Sequence, residues 1–176
     1  MRVIVTSLLF PLPTNVARGT FVSDHVEVLQ NLGHDVKVVN PLPKMLKYQE
    51  SSRSTHTGVT TAPKKFNHGE VDVFSPRFWG LPGHPLPVLT SFSLKRKQKA
   101  IEKWLGEWRP DLIICHTLWP VAELANHLSQ NWQIPWVGVV HGHDFDIGIN
   151  DKNISKSISR LAKSANHIVS VSSRLD

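Results

Sequence analysis

Histidine and aspartate gather in one short stretch, His141-Gly142-His143-Asp144-Phe145-Asp146, directly after the apolar run Trp136 to Val140. That run is rich in β-branched residues and follows Pro135, the pattern of a buried parallel strand that stops where polar groups begin. Open α/β sheets bind ligands outside the carboxyl ends of their strands, so His141, Gly142, His143 and Asp144 are expected to face a crevice. Gly142 lets the chain turn sharply and lets a ligand come close. An imidazole with an ordinary pKa of about 6.5 can donate a hydrogen bond to a sugar hydroxyl or a phosphate, or move a proton. Asp144 can orient that imidazole or cap the following loop. The pair His141 and His143, with Asp144 and Asp146, also suggests zinc or iron ligands. The metallo-hydrolase pattern His-x-His-x-Asp-His does not fit, because Phe145 and Asp146 occupy its last two positions and no second ligand cluster is evident. No metal and no cofactor is therefore expected, and His143 reads as a loop histidine satisfied by its surroundings.

Two further strands switch from apolar to polar in the same way. Asp111 to Cys115 leads into His116 and Thr117, and Arg2 to Thr6 ends near Ser7 before a loop holding Pro11, Pro13 and Asn15. Gly19 then opens a helix. Its first free N–H groups and positive dipole end, around Gly19 and Thr20, suit a phosphate or carboxylate. Taken alone, a glycine at a helix start reads first as a simple turn, and Gly19-Thr20 is neither a dinucleotide fingerprint nor a Walker loop. No Gly-x-Ser-x-Gly elbow is present, and Cys115 sits inside a strand, so a serine or cysteine hydrolase is unsupported. Convergence of three polar switches from separate parts of the chain weighs more than any one residue.

The elements that must hold these groups alternate between strand and helix. Strands are predicted near 2–6, 36–39, 71–74, 111–115, 136–140 and 167–171. Between the first two lies a helix with Val22, Val26 and Leu29 at helical spacing, closed by Gly33 as a left-handed cap. One amphipathic helix is expected from about Ser93 to Trp108, with Leu94, Ile101, Trp104, Leu105 and Trp108 inward and Lys95, Arg96, Lys97, Lys99 and Lys103 outward. Further helices cover Val121 to Ser129 and the region of Ile154, Ile158, Leu161, Ala162 and Ala165. This order implies an α/β fold, a Rossmann-like parallel sheet with helices on both faces in a single domain. Pro41 to Ser91 is the least regular part. Within it, Arg77, Phe78, Trp79, Gly80 and His84 mix aromatic surface with polar tips, which suits a sugar or an amphipathic acceptor, or equally a loop pinned to the core.

The 176 residues carry a formal net charge of +6, with clustered lysines and arginines that favour anionic partners. A solvated helix face accounts for any single cluster, whereas together they suit an anionic membrane surface or a phosphorylated substrate. The basic runs contain no interleaved aromatics and no nucleic-acid-binding motif, so no nucleic acid partner is expected. A single buried cysteine suits a reducing cytoplasm. Pro11 and Pro13 interrupt the first apolar run, arguing against a signal peptide, and no segment approaches the roughly 18 apolar residues of a membrane span.

Four ordered motifs resemble a known family, the GT-B fold, family-4 type glycosyltransferases, in their N-terminal half. Phe10-Pro11-Leu12-Pro13 with Gly19-Thr20-Phe21-Val22 and Leu29-Gln-Asn-Leu-Gly33-His34-Asp35-Val36 looks like the family's proline loop, glycine-initiated helix and Leu-x-x-x-Gly-His-x-Val. Pro110-Asp111-Leu112-Ile113-Ile114-Cys115-His116 is similar to its Pro-Asp-x-Ile-x-x-His strand, and His141-Gly142-His143-Asp144 to its His-Gly-x-Asp segment. Ala165 to Ser172 is similar to the strand that closes the first domain. The resemblance covers nearly the whole chain. It implies a retaining transfer of a sugar from a nucleotide-sugar donor to a hydroxyl of a glycan or lipid-linked acceptor, without an obligatory metal, in the cytoplasm or at the inner face of the membrane. By carry-over His141 would face the transferred sugar, Gly19 and Thr20 would lie near the donor diphosphate or acceptor, and Asp144 would support the His141 loop. The family's second, donor-binding domain is not contained in these residues. A non-catalytic glycan- or phosphate-binding module of the same fold is the alternative.

Overall fold

The computed structural model describes residues 1–52, 54–80, 86–142 and 150–171. The amino-terminal half runs β1 (Arg2–Ser7), α1 (Thr20–Asn31), β2 (Asp35–Val39), β3 (Leu42–Pro43), two 3₁₀ turns (Lys47–Ser52 and Ser54–His56), β4 (Lys65–His68), β5 (Val71–Phe74) and β6 (Arg77–Phe78). It continues with α2 (Pro87–Lys95), α3 (Gln98–Leu105), β7 (Leu112–His116), α4 (Ala122–Trp132), β8 (Trp136–Val140), α5 (Ser155–Ser164) and β9 (His167–Ser170).

β1 is a β-branched run in which every residue after Arg2 is shielded from water, the mark of a central strand covered on both sides. The seven-stranded sheet accordingly has the order β4-β5-β2-β1-β7-β8-β9. All neighbours pair in parallel except β4, which turns back antiparallel on β5. Alternation along β1 sends Val3 and Val5 towards Val22 and Val26 of α1. Ile4 points the other way, into the core shared with Ile101 of α3, Leu124 and Leu128 of α4, and Ile158 and Leu161 of α5. Helices thus cover both faces, as the alternating pattern predicts. α1 ends in a Schellman arrangement around Gly33 (φ 81°), with the His34 N–H bonded to the Leu29 carbonyl at 3.1 Å and the Gly33 N–H to that of Gln30 at 2.8 Å.

The predicted helix from Ser93 to Trp108 is in fact two. The Lys97 N–H reaches back only three residues, to the Leu94 carbonyl at 2.9 Å, which tightens the turn at Arg96-Lys97 before α3 restarts with the Ile101 N–H on the Lys97 carbonyl. α2 also begins earlier, with Pro87 at its first turn, and it is built the opposite way round from an ordinary surface helix. Its inward residues are Thr90, Ser93 and Leu94, while Leu86, Val88, Leu89 and Phe92 are exposed. The expectation that every basic residue from Lys95 to Lys103 is solvated fails at Lys95. Its ammonium lies 3.1 Å from the buried carboxylate of Glu123, which also pairs with Arg160.

The irregular middle of the chain is more ordered than the sequence suggests. Two-residue strands β3 and β6 pair in parallel, and Leu12, Leu42, Val59 and Ala62 form a small core of their own. Phe78 is buried in the main core, as the anchoring reading expects, and Trp79 is exposed. No helix among the described residues is long and apolar enough to cross a membrane.

Candidate functional site

Three neighbouring parallel strands end side by side. Ser7 of β1 is level with His116 of β7, and His116 with Val139 of β8, so His141 follows one short step beyond. The polar switches predicted at Ser7 to Gly19, at His116-Thr117 and at His141 therefore meet at one edge of the sheet. Gly19 is the left-handed residue before α1 (φ 63°), and a Cβ there would stand 2.5 Å from the Leu9 carbonyl carbon. Only glycine permits this approach of the loop to the helix start. It delivers Thr20 and Phe21 to the edge, where the Phe21 ring lies 4.9 Å from the ring of His141.

The loop before Gly19 is held from beneath by a buried arginine that sequence reasoning did not single out. Arg18, 5% exposed, donates from Nε to the Thr55 carbonyl and from one terminal nitrogen to the Phe10 carbonyl, both at 2.9 Å, and it also binds the Leu8 carbonyl and Asn40 Oδ1. Asn40 returns a bond from Nδ2 to the Ser7 carbonyl at 2.7 Å. Burial, with the nearby Arg77 charge, pushes the Arg18 guanidinium down to about 10, so it remains a cation at neutral pH, neutralised by carbonyl dipoles rather than by a carboxylate.

His116 is 2% exposed and bonded on both ring nitrogens, Nε2 to His25 Nδ1 at 2.9 Å and Nδ1 to His141 Nε2 at 3.1 Å. Its ring stacks on that of His141 with centroids 5.4 Å apart. Burial, and secondarily the nearness of two other imidazoles, pushes His116 down to about 3, so the ring is neutral at physiological pH. Burial also lowers His25, on α1. Beside His116 the chain takes a strained path. Thr117, β-branched, adopts φ 71° and donates its N–H to the Val139 carbonyl at 2.9 Å. Such a conformation in a β-branched residue marks a site where the surroundings dictate the backbone.

Of the residues named from sequence, Gly19, Thr20, His116 and His141 come together here, and Gly142 continues from His141. Asp144, with His143 and Asp146, lies outside the described residues, as does His84. The expectation that His116 simply borders the crevice changes: it is a buried ring that holds His141 from behind. Its partner His25 carried no sequence mark beyond lying one turn after Phe21. The three imidazoles form a chain, not a set converging on one point, and among the described residues no group of three His, Cys, Asp or Glu could hold a metal ion.

A helix N-terminus and an imidazole at the carboxyl ends of neighbouring parallel strands suit an anionic or polyhydroxylated ligand. The chain is 25% identical over 181 residues to a protein of Bacillus subtilis (strain 168) named putative teichuronic acid biosynthesis glycosyltransferase TuaC, a match covering 99% of this chain and 45% of the relative. The chain thus spans a little under half the length of that curated relative. The family described as glycosyl transferase 4-like domain matches residues 19–175. The Rossmann-like half of a GT-B fold and the match across nearly its whole length lead to one conclusion: this chain belongs to the glycosyl transferase 4-like domain family.

Proposed function

We propose that this domain carries the acceptor side of a retaining glycosyltransferase, which moves a sugar from a nucleotide-sugar donor to a hydroxyl of a glycan or lipid-linked glycan. A donor-binding domain elsewhere in the full-length protein completes the site. The observation that carries this reading is the meeting of the α1 N-terminus with His141 at the ends of β1, β7 and β8. In it, Gly19 and Thr20 offer backbone N–H groups to the donor diphosphate or the acceptor, and His141 makes a hydrogen bond to the transferred sugar. His116 fixes the His141 ring, Gly142 leaves room for the substrate, and Asp144 supports the loop. The name of the Bacillus subtilis relative, with its reference to teichuronic acid biosynthesis, supports a glycan as the product.

The exposed apolar face of α2 supports an amphiphilic acceptor presented at the cytoplasmic surface of an anionic membrane. Leu86, Val88, Leu89 and Phe92 are open to solvent, and cations border them: the Arg96 guanidinium lies 5.4 Å from the Phe92 ring, and the Lys44 ammonium 4.6 Å from the exposed Trp79 ring.

The test is transfer by the full-length protein from a panel of nucleotide-diphosphate sugars to a membrane-lipid extract. One donor is expected to give a glycosylated product, and His141→Ala to lower turnover on the order of 10² to 10³-fold by loss of a hydrogen bond made mainly in the transition state. The variant should still fold, with a thermal midpoint lowered by the loss of the bond to the buried His116 ring. Full activity in a folded His141→Ala protein removes His141 from this role, and binding of glycan without any transfer favours the non-catalytic module.

A further inference from the structure

Side chains along β7 alternate between the two faces of the sheet. Ile113 and Cys115 point into the core shared with α3, α4 and α5, while Ile114 packs on the α1 side and His116 meets His25 of α1. Continued in the same way, the chain would send Thr117 after Cys115 into that core. Instead Thr117 turns to φ 71°, and Leu118 enters the core in its place. Across residues 113–126 every residue except Thr117 is buried. This stretch therefore reaches solvent at one point, directly beyond the end of β7 and beside the end of β8, where the Thr117 N–H bonds the Val139 carbonyl at 2.9 Å.

A left-handed conformation is costly for a β-branched residue, and glycine or asparagine would adopt it more cheaply. The turn is held from both sides. Its N–H is tied to β8, its carbonyl accepts from Cys115 Sγ at 3.4 Å, and the flanking His116 and Leu118 are buried. What the strain delivers to the edge of the sheet is a hydroxyl. Among the described residues Thr117 Oγ1 makes no hydrogen bond, so its donor and acceptor positions are open to a ligand. A sugar hydroxyl has the same two-way capacity, whereas a sugar-linked diphosphate only accepts. The neighbouring His116 ring is neutral and supplies no charge to draw a phosphate to this point.

We propose that Thr117 is a substrate-contacting residue of the transfer site, whose strained backbone turns its hydroxyl out of the core to hydrogen-bond a hydroxyl of the sugar held at the ends of β7 and β8. This rests on the reading of that edge as a sugar-transfer site. The sugar is the one carried by the donor or the one that ends the acceptor, and both offer the same hydroxyl chemistry.

The test uses the full-length protein, with calorimetric titration of a panel of nucleotide-diphosphate sugars and of the same nucleoside diphosphates without sugar, and with transfer to a membrane-lipid extract. Thr117→Val removes the hydroxyl and keeps the β-branched shape. It should weaken binding of the nucleotide sugar about 10-fold and leave binding of the bare nucleoside diphosphate unchanged. If donor binding holds and the amount of extract giving half-maximal rate rises about 10-fold, the sugar is that of the acceptor. Thr117→Ser should restore most of the loss in either case. Thr117→Gly relieves the backbone, so it should unfold at no lower a urea concentration than the parent protein, yet lose as much binding as Thr117→Val. A threonine that serves the fold alone does not give that pairing. If Thr117→Val does not fold, the Gly and Ser variants decide. Equal binding and equal half-maximal amounts in a folded Thr117→Val overturn the proposal, and so does an equal loss with and without the sugar. A parent protein that binds the nucleotide sugar and transfers nothing, with binding weakened in Thr117→Val, overturns the transferase reading and keeps the sugar contact. A parent protein that binds no sugar overturns both.

Discussion

Gly19 and Gly33 bracket α1, and both have positive φ, but their neighbourhoods differ. Around Gly33 (φ 81°) nothing lies within 4 Å of where a Cβ would be, whereas at Gly19 the Leu9 carbonyl carbon is 2.5 Å and the Phe10 nitrogen 2.7 Å away. Gly33→Ala therefore meets only the left-handed penalty of about 1 to 2 kcal/mol, and Gly19→Ala adds a clash with backbone that can be relieved only by moving the loop. Urea unfolding of the two variants should rank Gly19→Ala as the more damaging, at about 3 kcal/mol or more. Acid sensitivity is the second expectation at this scale. His116 accepts a proton at about 3 when folded and near the ordinary imidazole value of 6.5 when unfolded, so between those values the unfolded chain binds more protons. The stability this group contributes is complete above about pH 7 and falls as the pH drops through 6.5 towards 3. At about 1.4 kcal/mol per pH unit, the loss from this one ring reaches about 2 kcal/mol by roughly pH 5. Denaturation midpoints across that range should slope downward in acid, and the slope should flatten in His116→Asn.

At the scale of elements, Glu123 joins three helices. Its carboxylate, 2% exposed at the first turn of α4, accepts from Ser91 of α2 at 2.9 Å and pairs with Lys95 of α2 at 3.1 Å and with Arg160 of α5. A buried carboxylate stripped of its cations is uncompensated, so Lys95→Met with Arg160→Met should cost about 3 kcal/mol, more than the sum of the single variants, whereas Lys99→Met on exposed surface should stay within about 0.5 kcal/mol. Chemical denaturation of the four proteins checks this. No sequence pattern announces such a network, because Lys95 looks like any other member of a basic run. The strands were legible for the opposite reason: β1, β2, β5, β7 and β8 are short runs of buried β-branched residues, and that pattern has few other meanings. β4 was not, since Lys65–His68 is a polar edge strand of the kind that discourages further pairing. α2 was misread because Val88, Leu89 and Phe92 face solvent while Thr90 and Ser93 face the core, the reverse of the periodicity from which a helix is read. The site divides in the same way. His116 and His141 are visible as polar residues ending apolar strands, but His25 meets His116 across 91 residues of sequence, a contact that only the crossover of α1 over the sheet creates.

For the whole molecule, the exposed apolar face of α2 and the positive charge act together. Val88 is 80% exposed, Phe92 55% and Trp79 57%. Arg96 and Lys44 sit over two of these aromatic rings, and the Lys97 ammonium is held below its usual range by burial and by the charges of Lys44 and Arg96, so the three cations form one cluster beside the apolar face. An apolar face bordered by cations is what binds the interface of an anionic bilayer, where buried apolar area and attraction to lipid charge add. The two contributions separate by salt. Lys44→Ala, Arg96→Ala and Lys97→Ala, each removing about 1 kcal/mol of attraction at low ionic strength, should weaken binding to phosphatidylglycerol-containing vesicles in water-rich buffer and lose much of that effect near 0.5 M salt, where charges are screened beyond about 4 to 5 Å. Val88→Ser with Phe92→Ser should weaken binding at both salt concentrations, because screening leaves the burial of apolar surface intact. Lys99→Ala, outside the cluster, should change little. Cosedimentation of the full-length protein and these variants with anionic and with purely phosphatidylcholine vesicles measures all of this, and equal binding by every variant would reduce the α2 face to a surface that another part of the protein covers.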